Sequence, residues 1–232
     1  AYAWDEYDEY GGVFQAPMVF QTTDDDYDGD IDEDDIPDIA VIMANPSEVE
    51  DGVLRLISGD GTVVHDSVSW ESHTNSKGTF EYAPYHYSGV AMGDVDGDGN
   101  IEILTLVVRD DLLCYPAYYE VSQSGTTVSL ELDLVYPGAN YVCAAHAPAI
   151  ADIDDDGVIE MIWGKAVFNG EDFSQEWYGD APDSGGRGWF SNVFDADGYW
   201  NSGYHSFAYD IDGDGSQMEV MGGNTVYNSD GT

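Results

Sequence analysis

Short apolar runs alternate with acidic, glycine-rich stretches along the whole chain, and the same order of segments returns four times. Before each acidic stretch lies a run such as Ala16-Pro17-Met18-Val19-Phe20, Val90-Ala91-Met92 or Ala147-Pro148-Ala149-Ile150. After it comes a β-branched or apolar run: Ile39 to Met43, Ile101 to Val108, Ile159 to Trp163, and Met218 to Met221. Runs this short, rich in Val and Ile and bounded by Gly and Asp, predict strands. The acidic stretch is then a strand-to-strand connection. In the first repeat four strands are predicted, at 16–20, 39–44, 53–58 and 62–68, with Gly59-Asp60-Gly61 as the hairpin turn between the last two. Ser124-Gly125, Asn169-Gly170 and Asp230-Gly231 are the same turn in the later repeats.

The acidic stretches begin at Asp24, Asp94, Asp152 and Asp210, at intervals of 70, 58 and 58 residues. A period near 58 accommodates four short strands, and no helical periodicity competes with them. The expected fold is therefore all-β, a β-propeller of four-stranded blades. Residues 1–13 form an acidic and aromatic segment that is a candidate closing strand. Blade 1 is expected at 14–70, blade 2 at 71–136 and blade 3 at 137–178, with an aromatic inter-blade loop and an incomplete fourth blade at 179–232. Four repeats, the last stopping before its fourth strand, point to part of a larger propeller or to one completed by another segment or chain.

The acidic stretches carry the chemistry. In Asp94-Val95-Asp96-Gly97-Asp98-Gly99-Asn100-Ile101-Glu102 carboxylates stand at every second position. In a tight loop, side chains at positions 1, 3 and 5 converge on one point and repel one another without a cation. Hard oxygen ligands from alternate residues, a glycine at position 6, a backbone carbonyl at 7 and a closing acid describe a calcium site. Magnesium prefers fewer protein ligands, and zinc would want His or Cys. A solvated acidic turn explains one such stretch, but not four copies in the same phase with the same apolar flanks.

These loops and their flanks, above all Ala147 to Gly164, resemble FG-GAP or integrin-α-like repeats, including those called VCBS. The likeness covers about residues 14 to 232. It implies that each repeat is one blade and that the loop between its first two strands holds Ca²⁺. The implied ligands are Asp94, Asp96, Asp98, Asn100 by its backbone and Glu102, then Asp152, Asp154, Asp156, Val158 by its backbone and Glu160. In the fourth loop they are Asp210, Asp212 and Asp214, with Ser216 at the seventh position; one inserted residue leaves Glu219 to close the shell. The first loop is enlarged. Asp24, Asp26, Asp28, Asp30, Asp32 and Asp35 match a twelve-residue EF-hand-like loop, and Asp38 is the counterpart of Glu102. A competing register, from Asp30 through Asp34 to Asp38, puts Asp35 where Gly belongs, so the first is preferred. Four Ca²⁺ are expected, with room for a fifth in the first loop.

Charge narrows the partners. Forty-seven acids against five bases give a formal net charge of −42, which repels nucleic acid and anionic lipid. No apolar run is long enough for a membrane helix. Loops of this exposed type need more calcium than the cytosol supplies, so an extracellular, secreted or surface location is expected. Cys114 and Cys143 are either one disulfide or two buried thiols.

Long aromatic connections on the face opposite the acidic loops are candidate ligand surfaces for a protein or carbohydrate: Trp70, Tyr85 and His86 in one, Trp189, Trp200, Tyr204 and His205 in another. The competing reading is that these rings pack beneath their own loops. The expected function is a calcium-binding module for adhesion, ligand binding or structure, with no catalytic residues assigned. A propeller part of a polysaccharide lyase or related carbohydrate-active enzyme, and a subunit of an extracellular filament or surface layer, are the alternatives.

Overall fold

In the computed structural model the described residues are 9–45, 51–138, 143, 147–179, 205–215, 217–222 and 225–232. They form an all-β structure of the β-propeller class: four antiparallel sheets in chain order and, among the described residues, no helix. The chain divides into two compact units, Ala1–Gly93 with Asn100–Asn140, and Asp94–Gly99 with Tyr141–Thr232.

In the first unit, β1 (Met18–Phe20), β2 (Asp38–Ala44), β3 (Gly52–Ile57) and β4 (Val64–Val68) pair in that order. Alternation places their side chains on two faces. Ala40, Ile42, Leu54, Leu56 and Val68 pack into one large core, while Val41, Met43, Val53 and Ile57 form a smaller cluster with Tyr10 on the other side. Gly12 exchanges both backbone hydrogen bonds with Ala44 (3.0 and 2.7 Å), so the segment before β1 runs along β2 of its own sheet.

The second sheet departs from the simple four-strand pattern. Its blade strands are β7 (Ala91–Gly93), β8 (Ile101–Arg109), β9 (Cys114–Ser124) and β10 (Thr127–Val135). Two further strands, β5 (Glu71–Asn75) and β6 (Gly78–Pro84), form a hairpin that continues the sheet, β6 pairing with the last part of β8 where β7 pairs with the first. The stretch expected as a long aromatic connection is thus mostly a hairpin. Its ring Tyr82 is buried in the large core with Ile103, Tyr115, Tyr119 and Leu130.

In the second unit, β11 (Ala149–Ala151), β12 (Glu160–Trp163), β13 (Ala166–Asn169) and β14 (Gln175–Tyr178) form the third sheet. The fourth is β15 (Ser206–Tyr209), β16 (Glu219–Gly222) and β17 (Thr225–Tyr227). Ile162 and Val167 face Val220 in a shared core, and Trp163, Phe168 and Phe173 cluster on the opposite face with centroids 5.4 to 5.9 Å apart. The close approach of β16 to the third sheet needs glycine, since a Cβ on Gly222 would lie 2.7 Å from the Gly164 carbonyl.

One turn design recurs. Asp60, Asp172 and Asp230 each accept a hydrogen bond from the backbone N–H of the residue two places on (2.7, 2.8 and 3.1 Å) and hold that residue's hydroxyl as well. The residue between has a left-handed backbone: Gly61 at φ 71°, Phe173 at 56° and Gly231 at 84°. In each case the Thr or Ser hydroxyl holds the Asp carboxyl below its usual range. Both cysteines are disulfide-bonded, which resolves the alternative of free thiols.

Glu71, the first residue of β5, has one carboxylate oxygen buried with no hydrogen-bond partner. Burial, and then the nearby Asp66 and Glu131, push its carboxyl up from 4.5 to about 7. The folded state therefore keeps a proton that the unfolded chain releases, and the stability due to this group is lost as pH rises between those two values. Because the group is half-exposed, solvent reduces the effect to about 1 kcal/mol. Glu71→Gln is expected to raise the melting temperature by about 2–4 °C at pH 8, with the gain vanishing below the unfolded-state pKa, as read by thermal melts across pH.

Candidate metal centres

Strand register positions every loop alike. The last residue of each first strand pairs with an acid near the start of the second: Phe20 with Asp38, Gly93 with Glu102, Ala151 with Glu160, and Tyr209 with Glu219. The acid is thus anchored in the sheet, and the intervening loop must curl back over it.

That curl is built from backbone conformation. Positions 4 and 6 are left-handed in all four loops: Tyr27 and Gly29, Gly97 and Gly99, Asp155 and Gly157, Gly213 and Gly215. Glycine adopts this conformation without cost, whereas Tyr27 and Asp155 carry side chains there. The first Asp holds the curl closed. Asp94 accepts from the N–H groups of Gly97 and Gly99 (2.8 and 3.2 Å), Asp152 from Asp156 and Gly157 (3.1 and 3.0 Å), and Asp210 from Gly213 and Gly215 (2.6 and 3.0 Å). Asp24 does the same for Tyr27 and Gly29 (2.6 and 3.1 Å).

Four groups of carboxylates result: Asp24, Asp26 and Asp35; Asp94, Asp96 and Glu102; Asp152, Asp154 and Glu160; Asp210, Asp212 and Glu219. Within each group one ligand oxygen per residue lies within 4.8 Å of the others. Glu102 and Glu160 are each only 1% exposed. All-oxygen donor sets, the first three with a buried closing acid, fit a hard divalent cation, which would offset the repulsion among three like charges. Burial, and then Glu176, Asp154 and Asp152, hold the Glu160 carboxyl up at about 7. A cation among these groups would bring it down again.

The position-5 carboxylates stand outside these groups. Asp28 accepts from the Asp30 N–H (3.4 Å) and Asp156 from the Val158 N–H (2.8 Å); Asp98 and Asp214 are likewise outside. The Asn100 amide turns to Glu120 (3.5 Å). Ser216 lies outside the described residues. In the first loop the closing acid of the group is Asp35, which also accepts from the N–H groups of Asp25 and Asp32 (2.7 and 2.9 Å) and is held below its usual pKa by the latter bond first. Asp38, fully buried at the register position of Glu102, instead accepts from the hydroxyls of Thr22 and Thr23 and pairs with His65 Nε2 at 2.9 Å. Hydrogen bonding to Asp38, against the opposing effect of burial, raises the His65 pKa. Asp30, expected at position 7, and Asp32 are not in the group; the Asp30 carboxyl is raised first by its hydrogen bond to Asp28.

Neighbouring sheets brace the loops. Gln123 of β9 donates to the Asp24 carbonyl (2.9 Å) and accepts from its N–H (2.8 Å). Met218 N–H donates to the Ile153 carbonyl (2.8 Å), and Gly170 lies so close to Val95 that a Cβ would stand 2.1 Å from the Val95 carbonyl. Val95 and Ile153, at position 2, are buried plugs; Ile211, their counterpart in the fourth loop, is 49% exposed.

The described residues among those expected as a ligand face differ in exposure. Trp70 is exposed and donates to Asp51 (3.2 Å), and His205 is exposed beside the Ser206–Ala147 hydrogen bond. Tyr85 and His86 are buried, stacked with each other and Tyr87, and so present no open ring to solvent. Trp189, Trp200 and Tyr204 lie outside the described residues.

No family model matches the chain, and no curated protein matches it either. Among solved structures it is similar to the V. cholerae biofilm matrix protein Bap1, with 26% identity and a TM-score of 0.63. The likeness covers 97% of this chain and 31% of that one, so the chain spans about a third of the length of the structure it matches.

Because burial and the neighbouring carboxylates hold the Glu160 carboxyl up at about 7, a cation filling its group is expected to drive a proton off it. Calorimetric titration of the chelator-treated protein with CaCl₂, in two buffers of different ionisation enthalpy, is expected to show proton release on binding that is larger at pH 6 than at pH 8. Glu160→Gln should reduce that release and weaken one binding step, by at least the roughly tenfold that loss of even an outer-shell partner of a metal ligand costs.

Proposed function

We propose that the chain is an extracellular calcium-binding β-propeller module of FG-GAP/VCBS type, with a structural or adhesive role. The observation that carries this reading is the fourfold repetition of one loop geometry, in which the first, third and closing acids converge. Calcium suits these loops better than magnesium because they offer several oxygen ligands in an adaptable ring rather than a strict octahedron. The ion's work is mechanical. It ties the first strand of a blade to the second through a loop that is otherwise self-repelling, so part of its binding free energy becomes folding free energy.

The likeness to a biofilm matrix protein supports a place outside the cell, as do the disulfide-bonded cysteines and the charge of −42. No helix among the described residues is long and apolar enough to cross a membrane. Apolar side chains stand open on β1 (Val19 56%, Phe20 40%) and on β15 (Phe207 43%, Tyr209 67%). Exposed apolar sheet edges favour contact with further protein, in keeping with a role in assembly or adhesion.

Excess EGTA is expected to lower the melting temperature by more than about 10 °C, since even one ion at a thousandfold excess over its dissociation constant contributes about 4 kcal/mol. Readdition of CaCl₂ should restore it and MgCl₂ should not. A melting temperature indifferent to EGTA contradicts the proposal.

A further inference from the structure

We infer that Gln123, on the second sheet, is a positioning residue for the first candidate metal centre, an inference that rests on the calcium reading of the loops. It acts through Asp24, the first acid of that centre. An ion held in the first loop is thereby tied to a sheet other than the loop's own.

In three loops the strand ladder itself places the first acid. Asp94, Asp152 and Asp210 directly follow the last residues of their strands, Gly93, Ala151 and Tyr209, which pair with the closing acids Glu102, Glu160 and Glu219. The first loop is different. Strand β1 ends at Phe20, whose partner is Asp38, and Gln21, Thr22 and Thr23 then separate it from Asp24. The closing acid is displaced by the same amount, since Asp35 stands three places before Asp38. Both arms carry the first centre past the end of its own ladder, so Asp24 needs another anchor.

Gln123 supplies it. This partly buried residue is the last but one of β9 and lies 99 positions from Asp24 in sequence. Its Oε1 accepts from the Asp24 N–H (2.8 Å) and its Nε2 donates to the Asp24 carbonyl (2.9 Å), the pair of bonds that a residue of a neighbouring strand makes. Nε2 also donates to the Gly125 carbonyl of its own turn (3.0 Å). The amide can face only one way, because turning it over would set Oε1 against two carbonyl oxygens. The Asp24 carboxylate meanwhile accepts from the N–H groups of Tyr27, Asp28 and Gly29. Loop and second sheet thus share the work: one aims the carboxylate, the other holds the main chain.

A neutral amide is the side chain this task requires. Holding both the N–H and the carbonyl of one residue takes an acceptor and a donor in one planar group, and a carboxylate has no donor. Coupling is reciprocal as well. A contact that fixes Asp24 for an ion is itself strengthened when the ion binds, so calcium in the first loop fastens that loop to β9.

The test is calorimetric titration of the chelator-treated chain with CaCl₂, on the intact protein and on Gln123→Ala, alone and combined with Asp26→Asn, with thermal melts in calcium and in EGTA. Gln123→Ala is expected to weaken one binding step at least tenfold, as loss of a hydrogen-bond partner of a metal ligand does, and to leave the other steps unchanged. In the Asp26→Asn background, where that step is already lost, it should change no calcium affinity further. Its cost in melting temperature should be larger in calcium than in EGTA, which a packing role alone does not produce. Should Gln123→Ala destabilise the EGTA form, Gln123→Met keeps the length of the side chain without its hydrogen bonds and is expected to weaken the same step. Calcium affinities indifferent to both variants, weakening that persists in the Asp26→Asn background, or an equal cost in melting temperature with and without calcium would overturn this inference and leave the calcium reading standing. An intact chain that binds no calcium would overturn both.

Discussion

Like charges brought together by strand register are the constraint on which this fold depends. Pairing of the first two strands of each sheet fixes an acid opposite the end of the first strand, and the loop between them returns two more carboxylates to it. One oxygen from each of three carboxylates lies within 4.8 Å of the others, and like charges that close repel one another. The loop offsets part of that cost itself, by turning backbone N–H groups onto the first Asp through two left-handed residues. A cation would offset the remainder. Position 2 of the second and third loops then serves as a plug, so the carboxylate group and the packing of its surroundings are one arrangement rather than two.

The first loop shows how tightly this logic is held. Its insertion supplies Asp35 as a new closing acid, and the acid at the old register position, Asp38, cannot simply remain buried and charged. It is satisfied by two hydroxyls and an imidazole, from Thr22, Thr23 and His65. Of the acids in the EF-hand-like register Asp24, Asp26 and Asp35 come together, while Asp28, Asp30, Asp32 and the register acid Asp38 are not in that group.

Much of this architecture was legible because its signals are local. Period-two apolar runs and Asp-Gly turns gave the first sheet's strands to within two residues, and the alternating carboxylates marked the loops. What was not legible depends on tertiary context. Residues 71–84 are polar and aromatic in sequence, yet they pair as a hairpin because the end of β8 extends past β7 and offers an unpaired edge. Tyr85 and His86 look like open recognition residues in sequence, yet both are buried, with Tyr87 against each and Phe14 beside His86. The hold of Gln123 on the Asp24 backbone likewise appears only when residues 99 positions apart in sequence are brought together.

The most direct measurement of the central claim is a count of ions per chain by native mass spectrometry, on the intact protein and on variants in which the first Asp of one loop is replaced, such as Asp94→Asn or Asp152→Asn. The account predicts four Ca²⁺ bound to the intact chain, with each replacement removing one and leaving the others. No bound calcium, or a count that single replacements leave unchanged, would contradict it.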